Sequence, residues 1–442
     1  MRARLKAAAD RWLPAGGFGR NVSVIAGGTA LAQALGLASA PILTRLYHPM
    51  DFGVLQIFLS LLTVLVVVSA GRYEVAVLLP EDEQSAIEIV CVALVCVCAT
   101  VMITASLVLL CRYHWFLPKS TLSLRRWLWL LPVSVAGGGL YQTISFWAMR
   151  KHQYNQIAAS KFAQVGTQTL AQVGLGIGGY GVVGLLLGDA LGRMMGSGRF
   201  LSQLLRDHSG ELRNVQPGRM WNFASKYREY PLVSVWGALV NASGLAVPAL
   251  LLAQFYGTQG TGWFALVNRV LAAPAALIGA SVSQVYISSA AKLSRDNPTG
   301  LMQLFLRTSK RMLLLGLVPC TLFVLAAPFL FLVVFGVAWR EAGLYARYLA
   351  PMFYLGFVSA PVTMTLVVLE RQRAQLVWDL GWLCLSGISF WIPHHMGLGI
   401  RSAVICYGAS MVMLYAVHLL QCYLAIQDRI RMHCVAVSME KT

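Results

Sequence analysis

Phe52-Gly-Val-Leu-Gln-Ile-Phe-Leu-Ser-Leu-Leu-Thr-Val-Leu-Val-Val-Val-Ser-Ala-Gly71 is a stretch without a single charged residue. At about 1.5 Å of helix rise per residue it reaches about 30 Å, the thickness of a bilayer's hydrocarbon core. Ten further charge-free runs surround it: 22–44, 89–111, 127–149, 162–188, 230–268, 270–291, 312–339, 348–369, 380–400 and 402–427. Two of them are too long for one span. Gln254 to Gly262 and Gly176 to Gly181 break the apolar pattern with glycine and glutamine and read as tight turns. The second turn separates the helix ending near Leu175 from one over Val182 to Leu204, which carries Asp189 and Arg193. The expected fold is therefore all-α and polytopic, with about twelve transmembrane helices.

Composition agrees. Of 442 residues, 57% are hydrophobic and only 12% charged, against roughly 25% charged in soluble domains. A net charge of +18 would suit nucleic acid if it were clustered on one face, but the positions of the cations argue for a membrane partner. Lys161, Arg193 and Arg269 fall within spans. With the N-terminus inside, only Arg45, Arg112, Lys119, Arg125, Arg126, Arg340, Arg347 and Arg401 lie outside, and the remainder face inward. This is the positive-inside pattern, with the loop from Arg112 to Arg126 as its exception. It places the chain in a cytoplasmic membrane with both termini cytoplasmic. The basic start, with Leu5, Trp12 and Leu13, is expected to lie on the membrane surface. The cysteines sit mostly in apolar runs without metal-type spacing, and adjacent His394 and His395 have no further ligands, so no metal and no cofactor is expected.

The basic connection from about Leu205 to Lys226 divides the chain into an N-terminal lobe (1–206), a linker (207–226) and a C-terminal lobe (227–442). A shift of 209 residues places Leu43, Tyr47 and Gly53 on Leu252, Tyr256 and Gly262. Six helices per half preserve orientation, so the repeat is parallel and its axis runs along the membrane normal. Such an arrangement leads to the expectation of a central cavity.

Ionisable and polar groups within spans are the candidate binding residues, because burying them in hydrocarbon costs several kcal/mol. Arg269 has no Asp or Glu between Ala265 and Ala273. Its guanidinium suits bidentate capture of a phosphate, or the carbonyls of a neighbouring helix. Asp189 and Arg193, four residues apart, are read as a self-neutralising pair. Lys161, Gln164, Gln168 and Gln172 form a polar stripe that serves equally as interhelical glue or as the lining of a sugar cavity. Gln33, Gln142, Asn241, Asn268, Gln284 and Asp379 are weaker candidates, and Arg72 and Glu74 are expected to pair at an interface. No phosphate loop, HExxH or nucleophile elbow occurs.

Leu43-Thr-Arg-Leu-Tyr-His-Pro-Met-Asp-Phe-Gly53, Arg72-Tyr-Glu-Val-Ala-Val-Leu-Leu-Pro80 with Glu81-Asp-Glu83, and Gly262-Trp-Phe-Ala-Leu-Val-Asn-Arg-Val-Leu271 with Pro274 resemble bacterial polysaccharide flippases of the Wzx type. These belong to the multidrug/oligosaccharidyl-lipid/polysaccharide exporter superfamily. The resemblance implies a V-shaped carrier that moves a polyprenyl-pyrophosphate-linked oligosaccharide from the inner to the outer leaflet, for O-antigen, capsule or exopolysaccharide. A polymerase and assembly proteins are the implied partners, and H+ or Na+ a coupling ion. Arg269 and Arg45 lie within the matching motifs. Competing readings are an ion-coupled multidrug exporter, for which a buried acid in the first lobe is expected and only Asp189 is apparent, a membrane oligosaccharide polymerase or ligase, and a non-transporting assembly partner.

Overall fold

A computed structural model describes residues 17–113, 124–207 and 209–439. The basic segment with Leu5, Trp12 and Leu13 lies outside the described residues, as does Lys119. Among the described residues twelve helices reach twenty residues or more. They are α1 Gly17–Ala38, α2 Pro49–Ser69, α3 Glu83–Tyr113, α4 Leu130–Arg150, α5 Tyr154–Ile177, α6 Val182–Asp207, α7 Val235–Tyr256, α8 Thr258–Asp296, α9 Pro298–Phe335, α10 Arg340–Ser359, α11 Gln372–His395 and α12 Ile400–Met439. Seven of these are long and apolar enough over a continuous stretch to cross a membrane by length and composition. The protein is a polytopic all-α membrane protein.

The helix breaks follow local chemistry. α7 and α8 are separated by Gly257 alone, at φ 87°, so the turn is shorter than the Gln254 to Gly262 stretch predicts. α5 and α6 are separated by Gly178 to Gly181, where Gly179 and Gly181 take positive φ, a conformation that glycine adopts without a Cβ penalty. Pro274, Pro319 and Pro351 sit inside α8, α9 and α10, each removing one backbone donor from its helix. Pro361 instead falls in the break between α10 and the short helix Thr365–Val368.

The chain forms two compact units. One runs up to Leu46 and from Leu61 to Leu239; the other comprises Tyr47–Ser60 and the chain from Val240 onward. In the first unit α3 packs on α4, α4 on α6 and α5 on α6. In the second, α9 packs on α10, α10 on α12 and α11 on α12. The same pairings recur six helices later, as an internal repeat of six helices requires. The linker is docked: the helix Pro217–Lys226 sets Met220, Phe223, Ala224 and Tyr227 against the core of the first unit, Tyr73 donates to the Ala224 carbonyl at 3.0 Å, and Arg219 lies 3.2 Å from Glu88.

The second unit contains a reciprocal helix crossing. A Cβ built on Gly53 of α2 would lie 1.8 Å from the Thr258 carbonyl oxygen, and one on Gly262 of α8 would lie 1.7 Å from that of Pro49. Pro49 maps to Thr258 and Gly53 to Gly262 under the 209-residue shift, so each repeat offers its glycine to the other's carbonyl. Nothing larger than hydrogen fits at either position without moving backbone.

Candidate functional site

The residues singled out above divide between the units: Gln33, Arg45, Lys161, Gln164 and Gln168 in the first, Asn241, Asn268 and Arg269 in the second. In the first unit the polar stripe of α5 meets a glycine stripe of α6. Cβ atoms added to Gly188, Gly192 and Gly196 would fall against Gln172, Gln168 and Gln164 respectively, so residues spaced by four on one helix seat residues spaced by four on the other. Small residues at such a seam let two backbones approach closely. Gln172 donates to the Leu185 carbonyl at 3.0 Å and Gln168 to Asp189 at 3.3 Å, while Arg193 Nε donates to Asp189 at 2.8 Å. Gln164 and Gln172 are buried. Their geometry is that of interhelical glue.

Lys161 is half-buried at the edge of this seam. Its ammonium donates to Gln164 at 3.3 Å and stands 5.5 Å from the centroid of the Tyr141 ring, a cation–π distance. Lys161, Gln164, Gln168, Asp189 and Arg193 are thus brought into one polar cluster. Gln33 sits on α1, which packs on α5, its Oε1 buried without a hydrogen-bond partner among the described residues. Arg45 is exposed and donates to the Pro41 carbonyl at 3.3 Å.

The first unit also buries two acids, Glu74, expected only as the interfacial partner of Arg72, and Glu88, not singled out in the sequence, which corrects the expectation that only Asp189 is available there. Glu74 and Glu88 have no exposed surface. Glu74 belongs to the short helix Tyr73–Ala76, between the apolar runs of α2 and α3. Gln142 donates to its Oε1 at 2.8 Å, Arg72 lies 3.5 Å away, and Oε2 has no hydrogen-bond partner among the described residues. Burial pushes this carboxyl above its ordinary value, opposed by its backbone amide, Arg72 and Gln142. Arg72, in the left-handed region at φ 61°, is held there by the surrounding turn. The motif Arg72 to Pro80 was the available signal; the depth of Glu74 was not, because it depends on α4.

In the second unit Asn268 and Arg269 are adjacent, half-buried residues of α8, and Asn241 is exposed on α7. One residue beyond Arg269 begins an apolar cavity of about 170 Å³. Val270, Leu271 and Pro274 line it from α8, Pro319 and Phe323 from α9, and Phe353 from α10. At 3.6 residues per turn the lining positions 270, 271, 274, 275 and 278 fall on the face of α8 opposite Arg269, so the cation and the chamber occupy different sides of one helix.

A profile of the family described as "Polysaccharide biosynthesis protein" matches residues 42–343, more than half of the chain. The chain belongs to that family. No curated protein matches it. Among solved structures this family member is similar to an inward-facing MATE multidrug transporter of the MOP superfamily, at 14% identity and a TM-score of 0.72 over 90% of this chain and 96% of that one. It is also similar to the lipid II flippase MurJ in an inward closed conformation, at 11% identity and a TM-score of 0.64 over 95% and 93%. A third is a MOP superfamily transporter from Pyrococcus furiosus, at 13% identity and a TM-score of 0.58 over 92% and 96%. At these identities the likeness is one of fold. The polysaccharide family and the MOP fold come from independent comparisons.

Proposed function

We propose that this polysaccharide biosynthesis protein is a flippase that moves a polyprenyl-pyrophosphate-linked oligosaccharide from the cytoplasmic to the outer leaflet by alternating access. The observation that carries the reading is Arg269 with Asn268 beside it, a half-buried guanidinium and amide within the long apolar helix α8. The guanidinium offsets pyrophosphate charge through charge-assisted hydrogen bonds, and the amide serves the sugar side. The family supplies the class of product, and the MurJ likeness shows that the fold is one a lipid II flippase also uses. Moving a charged headgroup through hydrocarbon unaided costs far more than moving it past a cation and polar side chains.

The test is leaflet exchange of a labelled polyprenyl-pyrophosphate oligosaccharide in liposomes. Arg269→Ala is expected to slow exchange about tenfold to a hundredfold, the equivalent of about 1.5–3 kcal/mol for a charged hydrogen bond, with Arg269→Lys intermediate. Exchange at the wild-type rate in a folded Arg269→Ala protein would remove this assignment.

The buried Glu74 favours a second reading, an ion-coupled exporter of amphipathic drugs. That reading requires drug efflux driven by an ion gradient and lost in Glu74→Gln; the flippase reading requires exchange of the lipid-linked sugar whatever becomes of drug efflux.

A further inference from the structure

At the end of the second unit where α8 stops and α9 starts, a cavity of about 360 Å³ opens among arginines from three separate segments. Arg295 comes from the last turn of α8, Arg371 from the turn before α11 and Arg429 from α12. At about 30 Å³ per water, the space holds roughly a dozen waters, or one phosphorylated headgroup.

Three guanidiniums around one cavity repel each other unless an anion joins them, so their existing partners decide what is left over. Arg371 Nη2 pairs with Asp428 at 3.0 Å, and Arg429 Nε donates to the Ser294 carbonyl at 3.2 Å. Arg295 has no acceptor among the described residues. The acids nearby are Asp428, paired with Arg371, Asp296, which follows Arg295, and Glu370; the cavity's own lining holds three arginines against Glu370 and is net positive.

Arg371 is also placed at a cost. Glu370 takes φ 59°, its amide donating to the Val367 carbonyl and that of Arg371 to Leu366. This is a Schellman-type helix end whose left-handed position is normally glycine. A charged residue there carries strain, and strain of this kind persists at sites that bind. The remaining wall is apolar, from Leu369, Ala425 and Met432.

We propose that this cavity is a phosphate-binding site, separate from Arg269, that takes the phosphate of an anionic lipid headgroup or of a soluble phosphate compound. Guanidiniums bind phosphate oxygens bidentately, and a basic pocket between the ends of membrane helices is suited to anionic headgroups. The site does not depend on which cargo the protein carries.

The purified full chain tests it with two probes. In nanodiscs, phosphatidylglycerol replaces phosphatidylcholine, and bound lipid is counted by native mass spectrometry; in detergent, inorganic pyrophosphate is titrated calorimetrically. Arg295→Glu is expected to weaken the phosphate-bearing probe about tenfold, the loss of a charge-assisted contact, while Arg295→Lys retains most of the binding and reports that the fold is intact. Loss confined to phosphatidylglycerol identifies a lipid headgroup, and loss confined to pyrophosphate a soluble ligand. If neither probe separates Arg295→Glu from wild type, the site does not exist. Because the readout is binding, this failure would leave the Arg269 exchange result untouched, and the reverse also holds.

Discussion

Glu74 sets a carboxyl with no exposed surface beside one amide and one arginine. Its raised proton affinity in the folded protein has a definite sign for stability. A carboxyl whose folded value lies above its unfolded one favours the folded state while protonated; that contribution is lost as pH rises through the folded value. The wild type is therefore expected to melt lower at about pH 8 than at about pH 5. Glu74→Gln, which cannot ionise, should melt higher than wild type at the upper pH and lose that advantage at the lower one. Differential scanning fluorimetry across the range checks it, and parallel profiles for the two proteins would count against a buried, proton-binding Glu74. Arg269 was legible from its place in a charge-free sequence. Glu74 was not, since Arg72 two residues earlier made an interfacial pair look sufficient, and its enclosure by Gln142 requires a helix nearly seventy residues away.

The seam between α5 and α6 shows what a helix pair adds to a residue list. Glutamines every four residues on α5 have two uses open to them until α6 is seated; Gly188, Gly192 and Gly196 then remove the space a sugar would need. A Cβ at Gly192 would sit 2.7 Å from the Gln164 carbonyl oxygen, whereas one at Gly198 meets nothing within 4 Å. Gly192→Leu should cost about 3 kcal/mol by overpacking, and Gly198→Leu should cost little; thermal unfolding of the pair in detergent compares them. The docked linker helix makes a second element-scale case. Arg219 is half-exposed while Glu88 is fully buried, so the pair's own attraction is screened, but removing the arginine leaves an uncompensated acid. Arg219→Ala should lower stability by about 1–2 kcal/mol, and Glu88→Gln in the same chain should restore most of it. The linker's basic, polar composition identified a connection. Its attachment was hidden because Met220, Phe223, Ala224 and Tyr227 declare a buried face only once helical phase is known.

Across the whole molecule, helix number was written in charge-free lengths and the parallel repeat in three identities at a spacing of 209 residues. The repeat's physical meaning was not: Gly53 and Gly262 look like turn glycines until Gly53 is found against the Thr258 carbonyl and Gly262 against that of Pro49. Alanine at either position is expected to cost about 3 kcal/mol or more, and the double variant less than the sum, since helices parted by the first methyl already have room for the second. Additive losses would mean that the two contacts yield independently. The crossing also bears on how the chain is made. Residues 47–60 pack with a unit that begins at Val240, so Gly53 leaves the ribosome roughly 200 residues ahead of Thr258, an interval of about 10–40 s at ordinary rates of synthesis. For that time a helix shaped to receive a neighbouring backbone stands in the bilayer without it, and the insertion machinery or a chaperone must keep that vacant notch from closing on the wrong helix.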